Sequence, residues 1–214
     1  MDVEKQVDKI LDVLDSIPMN ELVILTGQNG HGKSLIRKQM PFAVQKAFPK
    51  EITNKKLPRV CKSISMQLRT ESRPEFGALS SMGHDWPLTP TSVSTYTLAK
   101  QLFKSLDDDK DKCYLIIDEP EIGMSRESQL AIAEFIKNKY LEYKNQLYGL
   151  LVITHSEMIV EYLKDISKFI YLDGNITADA WINRKIIPTD FETLDKESSE
   201  LFVAIRDRSK PHKN

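Results

Sequence analysis

The sequence predicts an α/β fold built on a mainly parallel sheet, and three observations carry that prediction. Short, continuous apolar runs recur at Leu22-Val23-Ile24-Leu25, Cys113-Tyr114-Leu115-Ile116-Ile117 and Leu150-Leu151-Val152-Ile153, the pattern of strands covered on both faces. Segments with apolar residues at helical spacing separate them, as crossovers between parallel strands require. Each run ends on polar or glycine-rich sequence, at Gly27, Asp118-Glu119 and Thr154-His155, and ligands of open α/β sheets bind at that carboxyl edge. A chain of 214 residues suits one such domain spanning 1–214, two small domains being the alternative.

Taken in order, Val3, Val7, Ile10, Leu11, Leu14 and Ile17 form the stripe of an amphipathic helix that Pro18 ends. Such a stripe docks on the domain's own sheet. The Leu22 strand follows, then a glycine-rich turn, then a helix from Lys33 to about Phe48 that Pro41 bends or interrupts. Pro49 to Pro58 reads as an exposed loop and Arg59 to about Leu68 as a strand. The stretch 69–91, rich in Ser, Gly and Pro, is an irregular insertion. Thr89, Thr91, Ser92, Ser94 and Thr95 then offer several caps for a helix carrying Leu98, Leu102 and Leu106. The charged run 107–112 reads as a solvated turn rather than a metal site.

Beyond the Cys113 strand, a helix from about Ser125 to Tyr140 buries Leu130, Ile132, Ala133, Phe135 and Ile136, and Tyr148-Gly149 closes the connection to the Leu150 strand. One right-handed crossover makes that strand parallel to the one ending at Asp118. Phe169 to Leu172, Asp173-Gly174-Asn175 and Ile176 onward read as a hairpin with an Asp-Gly turn. Glu192 to Arg206 is a closing helix, and 207–214 a frayed basic tail.

The chemistry concentrates at the three strand ends. Gly27-Gln28-Asn29-Gly30-His31-Gly32-Lys33-Ser34 is a full G-x-x-x-x-G-K-[ST] phosphate loop between a strand and a helix. Its glycines allow close backbone approach to an anion, and the helix start turns N–H groups toward the same point. Nucleotide contacts are therefore expected along Gly27, Gln28, Asn29, Gly30, His31, Gly32, Lys33, Ser34 and Leu35. Lys33 reaches the β- and γ-phosphates and the Ser34 hydroxyl holds Mg²⁺. Asp118, at a buried strand end, is the second metal contact, and Glu119 beside it is the base that deprotonates the attacking water. His155 emerges at the same edge and can bond the γ-phosphate and that water.

Composition limits the partners. Lys plus Arg is 30 and Asp plus Glu is 31, so a net charge of −1 exerts no global pull on nucleic acid or anionic membrane. Cys61 and Cys113 lie in apolar runs rather than in a paired framework, which points to a reducing compartment, with cytoplasm as the expectation. Asp2 and Glu4 contradict a secretory signal, and no apolar run approaches the roughly 18 residues that span a bilayer.

Together, Gly27-x-Asn29-Gly30-x-Gly32-Lys33-Ser34, Ile116-Ile117-Asp118-Glu119-Pro120 and Ile153-Thr154-His155 resemble the ABC-class ATPase superfamily. That class includes transporter nucleotide-binding domains, SMC and related DNA-repair ATPases, OLD-like defence ATPases and, more distantly, MutS. The resemblance, which runs from about Leu22 to Gly174, implies a P-loop NTPase of ABC type that binds ATP and Mg²⁺ between two head-to-tail copies. It implies an ATP-dependent homodimer driving a conformational switch, with a partner protein or DNA complex, in DNA maintenance or phage defence. Lys33 and Ser34 match the Walker A pair, Asp118 the Walker B Asp, Glu119 the catalytic Glu and His155 the switch His. Gln67 occupies the place of the Q-loop glutamine, a metal contact, and Ser94-Thr95-Tyr96 is similar to the Ser-Thr-Phe with which MutS meets the other subunit's γ-phosphate.

Departures are equally specific. There is no Leu-Ser-Gly-Gly-Gln signature, Met124-Ser125 stands where the D-loop usually has Asp, and no aromatic residue precedes Gly27 to stack adenine. Adenine and guanine are both left open, and a transporter subunit is disfavoured. A small P-loop kinase and a non-hydrolysing nucleotide-dependent scaffold are the alternatives; product analysis separates all three.

Overall fold

The computed structural model describes residues 3–48, 61–65, 91–107, 112–186 and 190–208. In chain order these form α1 (Val3–Ser16), β1 (Leu22–Thr26), α2 (Lys33–Ala47), β2 (Cys61–Ser65), α3 (Thr91–Lys104) and β3 (Cys113–Asp118). Then come α4 (Arg126–Tyr143), β4 (Leu147–Ile153), α5 (Glu157–Leu163), β5 (Ser167–Tyr171), α6 (Ala178–Ile182) and α7 (Phe191–Arg208). The fold is α/β: the described residues form one five-stranded sheet, every pairing among them parallel, in the order β2-β3-β4-β1-β5, flanked by helices. No helix among the described residues is long and apolar enough to cross a membrane.

Alternation along the strands divides the apolar residues between two cores, because successive side chains point to opposite faces. Ile24, Leu115, Ile117 and Val152 pack with Leu98 and Phe103 of α3, Ile136 of α4 and Val160 of α5. Val23, Leu25, Ile116 and Ile153 pack on the other face with Val7 and Ile10 of α1, Ile36 and Met40 of α2 and Leu201 of α7. The three central strands are buried throughout, which accounts for their unbroken apolar character.

Several local expectations are corrected. The buried stripe of α1 is Val7, Ile10 and Val13, continued by Ile17 just beyond its end, while Leu11 is 44 % exposed, because packing on α2 and α7 selects a narrower face. Pro41 stands inside α2 without interrupting it; the burial of Ile36, Met40 and Val44 around it offsets the missing N–H. In α4, Leu130 faces solvent and Tyr140 and Tyr143 are buried instead. Tyr148 and Gly149 belong to β4 rather than to the connection before it. Among the described residues no hairpin follows β5: β5 pairs parallel to β1, and Thr177 caps the short helix α6 by accepting from the Ala180 N–H. Both cysteines are buried thiols, and desolvation pushes Cys61 up to about 12. The 49–58 loop, Gln67, most of the 69–91 insertion and the tail beyond 208 lie outside the described residues.

Candidate nucleotide site

β1 ends at Thr26, and the phosphate loop crosses from there to the start of α2. Gly30 and Gly32 adopt φ of 78° and 98°, left-handed values that suit glycine. Gly32 also has no room for a side chain: a Cβ would lie 2.2 Å from Ile10 Cδ1, because α1 rests directly on the loop. As N-cap of α2 it brings no side-chain acceptor, and its carbonyl accepts from the N–H groups of Leu35 and Ile36. The Lys33 and Ser34 N–H groups belong to the first turn, which a helix leaves without internal acceptors. Gln28, Asn29 and Ser34 are exposed.

Lys33 is only 7 % exposed and folds back on its own loop, its Nζ donating to Gly27 O at 2.9 Å and Gln28 O at 2.8 Å. Burial pushes its pKa down to about 8, against the charges of Glu119, Asp173, Asp118 and Glu121. Asp118, 3 % exposed at the end of β3, has Arg37 Nε 3.2 Å from its Oδ2. Burial raises its pKa, opposed first by Arg37 and then by the Ser65 hydroxyl and Lys33. Arg37 was not among the residues anticipated; its place one turn beyond Lys33 and Ser34 on α2 is the signal that it shares their face.

Glu119 leaves the strand with φ of 52°, a left-handed conformation costing about 1–3 kcal/mol that often marks a functional turn. Its N–H donates to Ile153 O at 2.8 Å, tying the turn to the end of β4. The sheet order puts β4 between β3 and β1, so His155 lies between the carboxylates and the phosphate loop. His155 Nε2 is 3.6 Å from Glu119 Oε1, beyond a direct hydrogen bond. Desolvation, then the charge of Lys33, pushes His155 down to about 4, so the imidazole is neutral at physiological pH. Glu121, also unanticipated, accepts the His155 N–H on Oε1 at 2.6 Å and fixes that backbone against the Glu119 turn. The Asp-Glu-Pro-Glu spacing was the available sign of it.

Two further placements matter. Ser94 is 2 % exposed, so its hydroxyl is not on a surface that a second copy could meet; Ser92 and Val93 are the accessible residues of that turn. Among the described residues no group of three or more His, Cys, Asp or Glu could hold a metal by itself. Mg²⁺ at nucleotide sites takes one or two protein ligands plus phosphate oxygens and water, so the exposed Ser34 hydroxyl and the buried Asp118 carboxylate fit that role.

No family model and no curated protein matches the sequence. Among solved structures the chain is similar to that of C. elegans PCH-2, at 16 % identity, over 79 % of this chain and 42 % of that one, with a TM-score of 0.37. The chain thus spans less than half the length of that protein, and a likeness of this degree carries no argument about activity.

Proposed function

We propose that this chain is an ABC-type P-loop ATPase domain that hydrolyses ATP with Mg²⁺ and dimerises around it. The observation that carries the reading is the convergence, at the carboxyl edge of three adjacent parallel strands, of Lys33 and Ser34, Asp118 and Glu119, and His155. Lys33 exchanges the Gly27 and Gln28 carbonyls for the β- and γ-phosphates, while the first-turn N–H groups of α2 take phosphate oxygens. Ser34 and Asp118 would hold Mg²⁺, which would supply charge neutralisation to the phosphates. Glu119 removes a proton from water as its oxygen bonds to the γ-phosphorus and the bond to the β-bridging oxygen breaks, releasing ADP and phosphate. Neutral His155 donates from Nε2 to a γ-phosphate oxygen or to that water without placing a second cation beside Lys33.

A lone P-loop leaves the outer side of the γ-phosphate open to water, and a second copy applied there would exclude it. Val93 and Tyr96, 48 % and 43 % exposed on α3, support a partner at that helix, with Ser92 in place of the buried Ser94 as the reaching hydroxyl. The test is phosphate release from ATP. Wild type is expected to release free phosphate, and Glu119→Gln to bind ATP while turning over about 10² to 10⁴-fold more slowly. Wild-type turnover in Glu119→Gln would move the base elsewhere, and a phosphorylated acceptor in place of free phosphate would make the chain a kinase.

A further inference from the structure

Asp173, which follows β5, stands outside the chemistry above, yet it holds two points of the phosphate loop at once. Its Oδ2 accepts the Gln28 N–H at 2.6 Å, and its Oδ1 meets His31 Nδ1. Both side chains of the latter pair are 10 % exposed. A carboxylate can only accept, so Nδ1 of His31 carries the hydrogen between them. Around this contact α1 adds a second layer: Gln6 Nε2 donates to His31 O at 3.1 Å, and Lys9 Nζ donates to Gly174 O at 3.1 Å. Burial alone would raise the carboxyl's pKa, but the His31 and Gln28 bonds outweigh it and hold Asp173 ionised.

A loop with glycines at 27, 30 and 32 has much conformational freedom to lose when it closes on an anion. We infer that Asp173 is a positioning residue for the phosphate loop: by clasping Gln28 and His31 it holds the loop in its binding shape before nucleotide arrives. The inference rests on the nucleotide reading of this loop. A negative charge beside a phosphate site by itself weakens anion binding, so the clasp must act through the acceptor geometry of its oxygens. A nucleotide that finds the loop already shaped binds more tightly by the factor that shaping would otherwise take.

Asp173→Ala and Asp173→Asn separate geometry from charge: the Asn carbonyl can still accept from Gln28, its NH₂ can donate to Nδ1 of the other neutral tautomer of His31, and the charge is gone. Calorimetry with ATP and with ADP is expected to show affinity about tenfold or more weaker in Asp173→Ala and within about threefold of wild type in Asp173→Asn. kcat at saturating ATP should stay within about twofold in both. His31→Ala should weaken binding too, but the double variant should be no worse than Asp173→Ala, because both residues act through one contact. Amide exchange without nucleotide supplies an independent readout: residues 28–32 should lose protection in Asp173→Ala while β1, β3 and β4 keep theirs. Unchanged protection at 28–32, additive losses in the double variant, or an Asn variant as impaired as Ala would overturn the inference. A wild type that binds no nucleotide would instead overturn the reading of the site, and the exchange data alone would then decide the clasp.

Discussion

Lys33 has two sets of partners available, the loop carbonyls that it bonds now and the phosphates that would replace them. With its pKa lowered to about 8, chiefly by burial, the free protein carries the ammonium below that pH and loses it above. Bound phosphate favours the charged form, so nucleotide at this loop would raise the pKa. Affinity should therefore be flat below pH 8 and fall as pH rises through it, by up to about tenfold per unit, until the bound group also deprotonates. Calorimetry of ATP binding in buffers of different ionisation enthalpy reads this directly. Proton uptake should be near zero at about pH 6.5 and approach one proton at about pH 9. Lys33→Ala should abolish binding; unchanged affinity there would remove Lys33 from the site, and no proton uptake in the wild type would mean that Lys33 is already charged in the free protein. The motif made Lys33 and Ser34 legible in the sequence because a local backbone shape demands those residue types in a row. Arg37 and Glu121 carried only a spacing, one helical turn from Lys33 and the Asp-Glu-Pro-Glu run, and Asp173 carried no local mark, since each acts on a segment that only folding brings near.

At the level of elements, β3 and β4 form the pairing on which the acidic end and His155 depend, and it contains one irregularity. The register shifts between Cys113 and Tyr114, where Gly149 has φ of 148° and the Tyr114 ring fills the space a Cβ would take, 2.5 Å from Tyr114 Cε2. Gly149→Ala should therefore destabilise by about 1–3 kcal/mol, the usual cost of overpacking a filled core. Tyr114 is fully buried and its hydroxyl has no hydrogen-bond partner among the described residues, so Tyr114→Phe should be neutral or stabilising by about 1 kcal/mol. Urea denaturation of both variants checks the pair, and a Tyr114→Phe loss as large as that of Gly149→Ala would mean the hydroxyl is satisfied. From the sequence, Tyr148-Gly149 close the connection before β4, whereas both residues lie within that strand. The cause of the glycine is a ring on the neighbouring strand, which no local pattern contains.

For the whole molecule, the proposed dimer is the property most exposed to test. Glu119→Gln, unable to discharge its ATP, should sediment as a dimer at saturating Mg-ATP, and wild type without nucleotide as a monomer, because ATP would add contacts only in the paired state. A monomeric Glu119→Gln under those conditions would mean that the chain completes its site alone or with a different protein.

What the sequence determined by itself was the α/β class, the buried strands β1, β3 and β4, and the three strand-end motifs, because strand burial and loop conformation impose rules on neighbouring residues. The strand order, with His155 set between Glu119 and the phosphate loop, was decided by the tertiary structure. So were the seating of Ile10 on Gly32, the Arg37–Asp118 pair, the clasp from Asp173 and the burial of Ser94. The contacts among these come from residues up to 145 positions apart in the chain, as Gln28 and Asp173 are. Nothing in a local pattern encodes such a distance: these pairings follow from how helices pack on both faces of the sheet, and the energies that select them exist only once both faces are covered.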